Sequence, residues 1–453
     1  MSEFSSILNT FFKVEERGSS IRTEITAGFT TFMTMAYIIF VNPAILSNAG
    51  MPFAPLVTTT VLATAFATII MGLYANKPYA LAPGMGLNAY FAYSVVITMG
   101  YSWEVALAAV FVEGLIFIVL SVTNVRTMVA NAFPRNLKYS IGAGIGLFLS
   151  IIGFENAHIV VANPATLVSM GNILAPDALI ALLGLGITIV LFVNRVKGAV
   201  LWGILSATLI AVIWSSMDSA AASIIYPAGF QIPSSPVSLP ASPAPIALHM
   251  DFRGLINAGA IGVIFAFFMV DFFDTLGTVT GLSAKVGDLD EKGNIPKKDL
   301  SRMLLTDALG TTFGALMGTS TVTTYIESAS GVEEGGRTGL TSLVVASLFL
   351  IGLFITPIVA LVPAAATASA LVLVGLFMLS NMAHVDFRDY TEFVPAFMTM
   401  IVMPFTYSIS NGIGAGIITY VLVKLATKRY RDISWVMYIL AIVFAAYFVW
   451  LSI

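Results

Sequence analysis

The sequence contains no cysteine and only three histidines. It therefore offers no disulfide, no thiol chemistry and little material for a transition-metal site, and we predict no metal and no cofactor. Charge is also scarce, since Lys, Arg, Asp and Glu make up 10% of the 453 residues and the formal net charge is −3. A soluble domain has about a quarter of its residues charged, and a nucleic-acid-binding domain is as a rule basic. The composition therefore excludes an ordinary soluble protein and argues against nucleic acid as a partner.

Apolar residues dominate instead: 58% of the chain is hydrophobic, and the mean hydropathy is +0.93. Most of the apolar runs are long enough to cross the roughly 30 Å hydrocarbon layer of a bilayer. The sequence predicts an all-α polytopic membrane protein embedded in the lipid bilayer. Fourteen spans are expected, at about 25–46, 57–75, 86–99, 103–123, 138–155, 177–194, 198–216, 256–282, 302–317, 326–333, 338–361, 366–382, 391–409 and 411–427. The last apolar run, 435–453, is either a further span or a helix in the membrane plane, and we favour the in-plane interpretation.

Lysine and arginine are distributed unevenly about these spans. With the N-terminus in the cytoplasm, every Lys and Arg except Arg253 falls on the cytoplasmic side, as the positive-inside rule requires. We therefore expect a multi-pass protein of the cytoplasmic (inner) membrane. Its expected segments are a cytoplasmic N-terminus (1–24), a first repeat of seven spans (25–216), an extracellular or periplasmic Pro-rich loop (217–254), a second repeat (255–430) and a C-terminal apolar helix (431–453).

The two halves echo each other near the ends of their fifth spans. The run IGLFL (145–149) leads into Asn156-Ala157-His158, and VGLFM (374–378) leads into Asn381-Met382-Ala383-His384. Since seven spans is an odd number, the second copy enters the membrane upside down. That is the inverted-repeat plan of secondary transporters.

Two carboxylates lie within the apolar segment 255–282, at Asp271 and Asp274. A charge at the centre of a span costs roughly 2.5–3.5 kcal/mol on insertion scales, so such residues are functional candidates. Asp271 and Asp274 stand three apart and share a helix face, and Thr275 adds a hydroxyl nearby. The alternative is that these acids are helix-end residues paired with a Lys or Arg elsewhere.

The third span of each half contains a stretch that does not read as ordinary helix. Pro83, Gly84 and Gly86 interrupt the segment 79–88, and the Thr- and Val-rich segment 318–331 favours an extended chain before a half-helix. Irregular backbone is tolerated inside a bilayer only where protein or a wet cavity satisfies its polar groups. Two facing half-helices would aim free N–H groups at a common site near the midplane. Asn88 and Glu327 lie near the starts of these half-helices; the simpler alternative is a loop and a helix cap.

Two further acids receive different interpretations. Glu113, in the run FVEGLIF, is a candidate for a proton relay or for pairing between spans. Asp307 lies near the expected start of a span and close to Arg302, so we interpret it as a topological or capping residue.

Five segments carry a resemblance to a known family. They are RTEITAGFTTFMTMAYIIFVNP (22–43), LAPGMGLNAYF (81–91), VDFFDTLGT (270–278), GTSTVTTYIESASGVEEGGRTGL (318–340) and the region 395–416 around MPFTYSISNGIGAG. The chain resembles the nucleobase/ascorbate (nucleobase–cation symport-2) superfamily over essentially its full length. The branch it resembles is the azaguanine-resistance-type permeases for hypoxanthine, guanine or adenine.

The resemblance implies fourteen spans in two inverted repeats of seven, with short strands in the broken spans 3 and 10. Spans 1–4 and 8–11 would form a core domain, spans 5–7 and 12–14 a gate domain, and the gate domains would join two copies into a homodimer. It implies that Glu327, Asp271 and Asn88 bind substrate and that Asp274 is needed nearby. Ser328 directly after Glu327 favours the purine branch over the xanthine and uracil branches.

These residues suit proton-coupled purine import. An ionised carboxylate accepts two parallel N–H bonds, so Glu327 would hold one edge of a neutral purine, with Thr275 and Asn88 nearby and Asp271 at the opposite edge or as the protonation site. The expected proton-coupling residues are Asp271, Asp274 and Glu327. We favour hypoxanthine or guanine; an adenine permease is the alternative, and Na⁺ in place of H⁺ stays open.

Other classes of protein fit less well. We do not expect an enzyme, because an intramembrane aspartyl protease needs its two acids on facing helices and this chain lacks a Gly-Leu-Gly-Asp motif. A channel needs a continuous polar path, and the sequence offers only a cluster near the midplane. An anion exchanger of the sulphate-carrier type would have its substrate repelled by Asp271 and Glu327.

Overall fold

The computed structural model describes residues 2–123, 133–257, 261–290 and 294–451, and most of these residues are helical. Parts of the predicted segments (residue 1, 124–132, 258–260, 291–293 and 452–453) lie outside the described residues. The helices of the first half are α1 (Ser2–Phe12), α2 (Ile21–Met35), α3 (Ile38–Ser47), α4 (Phe53–Ile70), α5 (Met85–Ala89), α6 (Trp103–Val122), α7 (Arg135–Asn156), α8 (Pro176–Val193), α9 (Ala199–Met217) and α10 (Ser219–Ile225). The helices of the second half are α11 (Phe252–Asn257), α12 (Ile261–Val286), α13 (Lys297–Met317), α14 (Ser328–Glu333), α15 (Gly339–Gly352), α16 (Thr356–Val359), α17 (Ala364–Leu379), α18 (Tyr390–Thr406), α19 (Ile409–Ala426) and α20 (Trp435–Leu451).

Local sequence signals set the starts of several helices. The side chains of Ser20 and Ser102 accept backbone N–H bonds at the first turns of α2 and α6. Such caps satisfy N–H groups that have no partner within the helix. Pro52, Pro134 and Pro363 directly precede α4, α7 and α17, where a missing N–H and a fixed φ start a helix at little cost.

Ten helical segments of the described residues, some made of consecutive helices such as α2 with α3, are long and apolar enough to cross a membrane. They are Ile21–Ser47, Phe53–Ala75, Trp103–Val122, Arg135–Asn156, Pro176–Val193, Ala199–Met217, Ile261–Val286, Gly339–Val359, Ala364–His384 and Ile409–Ala426. Each of the other four predicted spans also contains a helix: α5 with its π-helical continuation Tyr90–Thr98, α13, α14 and α18. These four helices are not among the ten. Three of them are shorter than any of the ten, and α13 is long enough but carries several charges. The count of fourteen and the inverted repeats therefore stay predictions.

The expected strands are present in the two broken segments. β1 (Leu81–Pro83) pairs antiparallel with β4 (Val322–Thr324), with Leu81 opposite Thr324 and Pro83 opposite Val322. Both strands are fully buried, so the ladder supplies the hydrogen bonds that a bilayer interior cannot. A second strand pair, the hairpin of β2 (Val160–Asn163) and β3 (Leu167–Met170), lies outside the expected spans and was not predicted.

The long helices pack mainly within two groups. In one group α15 packs on α2 and α4, and α13 packs on α4 and α6. In the other, α17 packs on α7 and α8, and α18 packs on α7 and α19. The paired strands β1 and β4 belong to the first group, where they contact α4 and α13. The candidate site residues therefore sit in the first group, on the segments that follow or face the two strands.

Candidate functional site

Glu327 occupies the point where the chain leaves β4 and enters α14. It is the residue directly before the first turn of α14, as the sequence predicts, and its side chain is partly buried. The Tyr37 hydroxyl donates to Glu327 Oε1 at 2.6 Å. Tyr37 itself is buried and lies in the break between α2 and α3. From the sequence, Tyr37 was an aromatic residue that could stack on a planar ligand or pack within the membrane, and its bond to Glu327 was not predicted.

Asn88 lies in α5 and is fully buried, but its amide is occupied by the protein itself. The Ser320 hydroxyl donates to Asn88 Oδ1, and Asn88 Nδ2 donates to the Pro83 carbonyl at 3.4 Å. Asn88 therefore joins the two broken segments side chain to side chain, one turn beyond the strand pair. This contact ties α5 to the segment that leads into β4.

The carboxylates of α12 have different neighbours. Asp274 is partly exposed and lies beside the Thr323 hydroxyl, and the nearby acid whose charge acts on it is Glu327. Asp271 is fully buried, its Oδ2 accepts from Thr311 Oγ1 at 3.4 Å, and its Oδ1 has no partner among the described residues. Of the two acids, Asp274 is therefore the one that interacts electrostatically with Glu327, and Asp271 lies towards α6 and α13.

Thr275 connects α12 to the strand pair. Its hydroxyl lies 2.8 Å from the hydroxyl of Thr323 in β4, and both side chains are buried. Because Thr323 also lies beside Asp274, one threonine of β4 contacts two of the predicted site residues. The structure thus brings Glu327, Asp274 and Thr275 to one place at the end of β4.

Asp307 is not the capping residue that the sequence analysis expected. α13 begins at Lys297, so Asp307 lies in the middle of that helix, where it is fully buried. Its Oδ1 accepts from the Thr324 hydroxyl at 3.0 Å, and its Oδ2 has no partner among the described residues. The interpretation was wrong because α13 carries its charged first turn well before its buried portion, and the apolar run alone marked the helix start too late.

Glu113 lies in α6 with its carboxyl group against that of Asp271. It is fully buried, and neither of its oxygens receives a bond from a donor group of any described residue. Glu113, Asp271 and Asp307 therefore form a buried cluster of acids behind the strand pair. Among the described residues, no group of three or more acids and histidines is arranged to hold a metal ion.

Comparison with known proteins matches nearly the whole chain. The model of the Permease family, Xan_ur_permease, matches residues 22–415. MJ0326 of Methanocaldococcus jannaschii is 48% identical over 442 residues, covering 98% of this chain and 98% of that protein. The adenine permease AdeP of Escherichia coli is 44% identical, covering 97% and 95%. The guanine/hypoxanthine permease PbuO of Bacillus subtilis is 41% identical, covering 96% and 98%.

Solved structures share the fold at low sequence identity. The transmembrane domain of the cyanobacterial bicarbonate transporter BicA superposes with a TM-score of 0.61 at 16% identity, covering 87% of this chain and 97% of that one. Murine Slc26a9, an anion transporter in the inward-facing state, gives a TM-score of 0.61 at 11% identity, covering 89% and 68%. The chain therefore shares its fold with these two proteins.

Proposed function

The chain belongs to the Permease family, whose Xan_ur_permease model covers residues 22–415, and from that premise we propose that it imports purine nucleobases together with protons. The family resemblance found in the sequence is confirmed, and the family and its close members are permeases, not enzymes. Purines as the substrate are supported by the relatives, which include an adenine permease and a guanine/hypoxanthine permease. Hypoxanthine or guanine is our first proposal and adenine the second.

The observation that carries the proposal is the setting of Glu327. Tyr37 occupies one carboxylate oxygen of Glu327, the side chains of Glu327 and Asp274 are both partly exposed, and we place the base in the space between them. In guanine the N1–H and the 2-amino group lie side by side, so they present two parallel donors to a carboxylate. Adenine has an acceptor, N1, beside its amino group and lacks such a pair. This chemistry favours guanine at Glu327; hypoxanthine keeps the N1–H donor but has no 2-amino group, so it would make one of the two bonds.

The remaining predicted residues receive supporting roles. Thr275 and Asp274 both contact Thr323 of β4, so we assign them to the wall of that space, and Asn88 ties α5 to the segment that leads into β4. Asp271 lies one layer behind, so its proposed role is proton coupling rather than contact with the base. Asp274 and Glu327, as neighbouring acids, would exchange a proton with water when the space opens.

Transport requires movement of one helix group against the other. The strand pair with Glu327 belongs to the group formed by α2, α4, α6, α13 and α15, and the other group contains α7, α8, α17, α18 and α19. We propose fourteen spans in two inverted repeats, these groups as core and gate, and a cytoplasmic N-terminus.

A single cysteine introduced at Ser235, in the Pro-rich loop, should then react with an impermeant maleimide added outside intact cells. A cysteine at Ser19 should react only after lysis, and the reverse pattern would contradict the orientation.

The test of function is uptake of radiolabelled hypoxanthine by cells that lack their own purine carriers, with adenine, guanine, xanthine and uracil as competitors. Guanine should compete, a protonophore should abolish accumulation, and Glu327→Gln should abolish uptake. The matched control is Glu333→Gln, because Glu333 ends the short helix that Glu327 precedes but is exposed and paired with Lys285. Competition by adenine alone would move the substrate to adenine, and no uptake of any base by well-expressed protein would contradict purine transport.

A further inference from the structure

Glu113 is a buried acid that the proposed substrate contacts leave unused. It lies in α6, its exposed fraction is 0%, and no donor of another described residue reaches either carboxyl oxygen. Its neighbour Asp271 is equally buried, with one weak bond from Thr311 and one oxygen without a partner. A side chain with two unsatisfied oxygens in a sealed interior is costly unless something is bound between it and its neighbour.

The neighbour that Glu113 faces is another carboxyl group. Glu113 and Asp271 lie within hydrogen-bonding range of each other, and the further charges that act on the pair come from the acids Asp307 and Asp274. Two carboxylates can form a hydrogen bond only if one of them carries a proton. Two ionised carboxylates in contact, without water or a cation, would repel each other strongly in a medium of low dielectric constant.

The packing around the pair keeps water out. Gly114 brings α6 close to α13: a Cβ at Gly114 would lie 2.6 Å from Thr312 Oγ1 and 3.1 Å from the Thr312 backbone nitrogen. Phe117 of α6 is fully buried against Phe268 and Phe272 of α12, one turn from Glu113. In this conformation the pair therefore keeps whatever proton it holds.

We propose that Glu113 shares one proton with Asp271 and that this shared proton is the one carried with the purine. The inference rests on the proposed proton symport. The proton enters from outside water when the site opens outward, bridges the two carboxyl oxygens, and leaves to inside water when the site opens inward. The sealed arrangement can form only when the bridging proton is present, so the carrier does not close without it.

Replacement of Glu113 by glutamine gives a specific test. The amide of Gln has the shape of a protonated Glu and donates to Asp271 without taking a proton from solution. The Glu113→Gln pair therefore has the same net charge, −1, as the wild-type pair with its proton. It should close and reorient in the absence of any proton.

The experiment uses the full-length protein in liposomes that contain a pH-sensitive dye, with an inward gradient of hypoxanthine or guanine. In the wild type, purine entry should acidify the lumen. In Glu113→Gln, exchange of labelled for unlabelled purine should stay within about threefold of the wild type, while purine-driven proton entry falls at least about tenfold. Glu113→Asp, which keeps a titratable group, should retain proton entry. Glu104→Gln, a change at the far end of the same helix, should behave as the wild type.

Each other result contradicts the inference. Proton entry at the wild-type level in Glu113→Gln would show that the carried proton sits elsewhere. Loss of purine exchange in a folded Glu113→Gln protein would also overturn it, because a mimic of the protonated pair must still carry purine. Glu113→Asp that exchanges purine without protons would do the same. Purine transport without proton entry in the wild type would refute the proposed symport itself, which separates the two failures.

Discussion

At the scale of single residues, several buried polar groups of the protein hold a few acids in position. Tyr37 is an example: its hydroxyl makes a 2.6 Å bond to Glu327 from the break between α2 and α3. The Thr34 hydroxyl reaches the Glu327 carbonyl from the preceding turn, at 3.4 Å. Glu327 is therefore aimed by α2 as well as by its own half-helix.

Tyr37→Phe should weaken purine binding without unfolding the protein. The change removes the donor to one carboxylate oxygen, and hydrogen bonds to charged groups contribute about 1.5–3 kcal/mol. Affinity for hypoxanthine or guanine should therefore fall about ten- to a hundredfold, as measured by competition binding to purified protein. Tyr74→Phe is the matched control, because Tyr74 is 45% exposed and its ring lies against Arg302, not Glu327. Equal affinities in the two variants would show that Tyr37 does not position Glu327.

At the scale of elements, the strand pair is the part of the fold that the site depends on most. The Gly84 N–H donates to the Thr321 carbonyl at 2.9 Å just beyond β1, so the two broken segments stay in contact past the ladder. A Cβ at Gly84 would lie 2.6 Å from Thr323 Cγ2. Thr323 is also the threonine that contacts Thr275, so any displacement of β4 is transmitted to α12.

Gly84→Ala should therefore impair transport more than stability. Overpacking of a close contact typically costs about 1–3 kcal/mol, here by pushing β1 from β4. We expect purine affinity to fall about tenfold or more, while the protein still reaches the membrane. Gly277→Ala makes the same change in α12 where a Cβ would meet nothing within 4 Å, and uptake by that variant should be unchanged. Wild-type affinity in Gly84→Ala would mean that the strand contact tolerates displacement.

The sequence predicted the elements better than the partners of their side chains. The breaks in the third span of each half and the position of Glu327 followed from β-branched residues, prolines and glycines, which act locally. The short strands in those spans were implied by the family resemblance. Glu24 shows what local signals miss: it lies in the first turn of α2, yet it is fully buried and accepts bonds from the backbone of Arg337, Thr338 and Thr341. Those donors lie some three hundred residues away in the chain, and no spacing rule connects them to Glu24.

At the scale of the whole molecule, a polar contact joins the two helix groups at the end of the bundle opposite the N-terminus. The Tyr93 hydroxyl oxygen accepts from Asn48 Nδ2 at 2.9 Å and from Asn156 Nδ2 at 2.8 Å. Tyr93 follows α5, whereas Asn156 ends α7 in the other group. A neighbouring bond, from Ser94 Oγ to the Tyr407 carbonyl at 2.6 Å, spans the same boundary. Movement of one group against the other must break these bonds.

Tyr93→Phe should therefore open this end of the molecule more often. Loss of the hydroxyl removes the acceptor of two amides. If the closed state of this end loses about 1 kcal/mol of free energy, the open population becomes roughly fivefold larger. Because the chain has no cysteine, a single reporter at Ala157→Cys can be introduced, at a position that is 1% exposed beside Asn156. Its reaction with an impermeant maleimide should be about fivefold faster in the Tyr93→Phe background.

The matched control for this measurement is Tyr139→Phe. Tyr139 lies in α7, the helix that ends beside the reporter, but at its opposite end, where the ring stacks on His384. A reporter rate that rises equally in both backgrounds would indicate general loosening of α7 and not release of the contact. An unchanged rate in Tyr93→Phe would mean that Ser94 and Tyr407 suffice to hold this end closed. Saturating purine should separate general loosening of α7 from opening as part of transport. A ligand that favours one orientation of the carrier changes the reaction rate of the reporter only where this end opens during the transport movement.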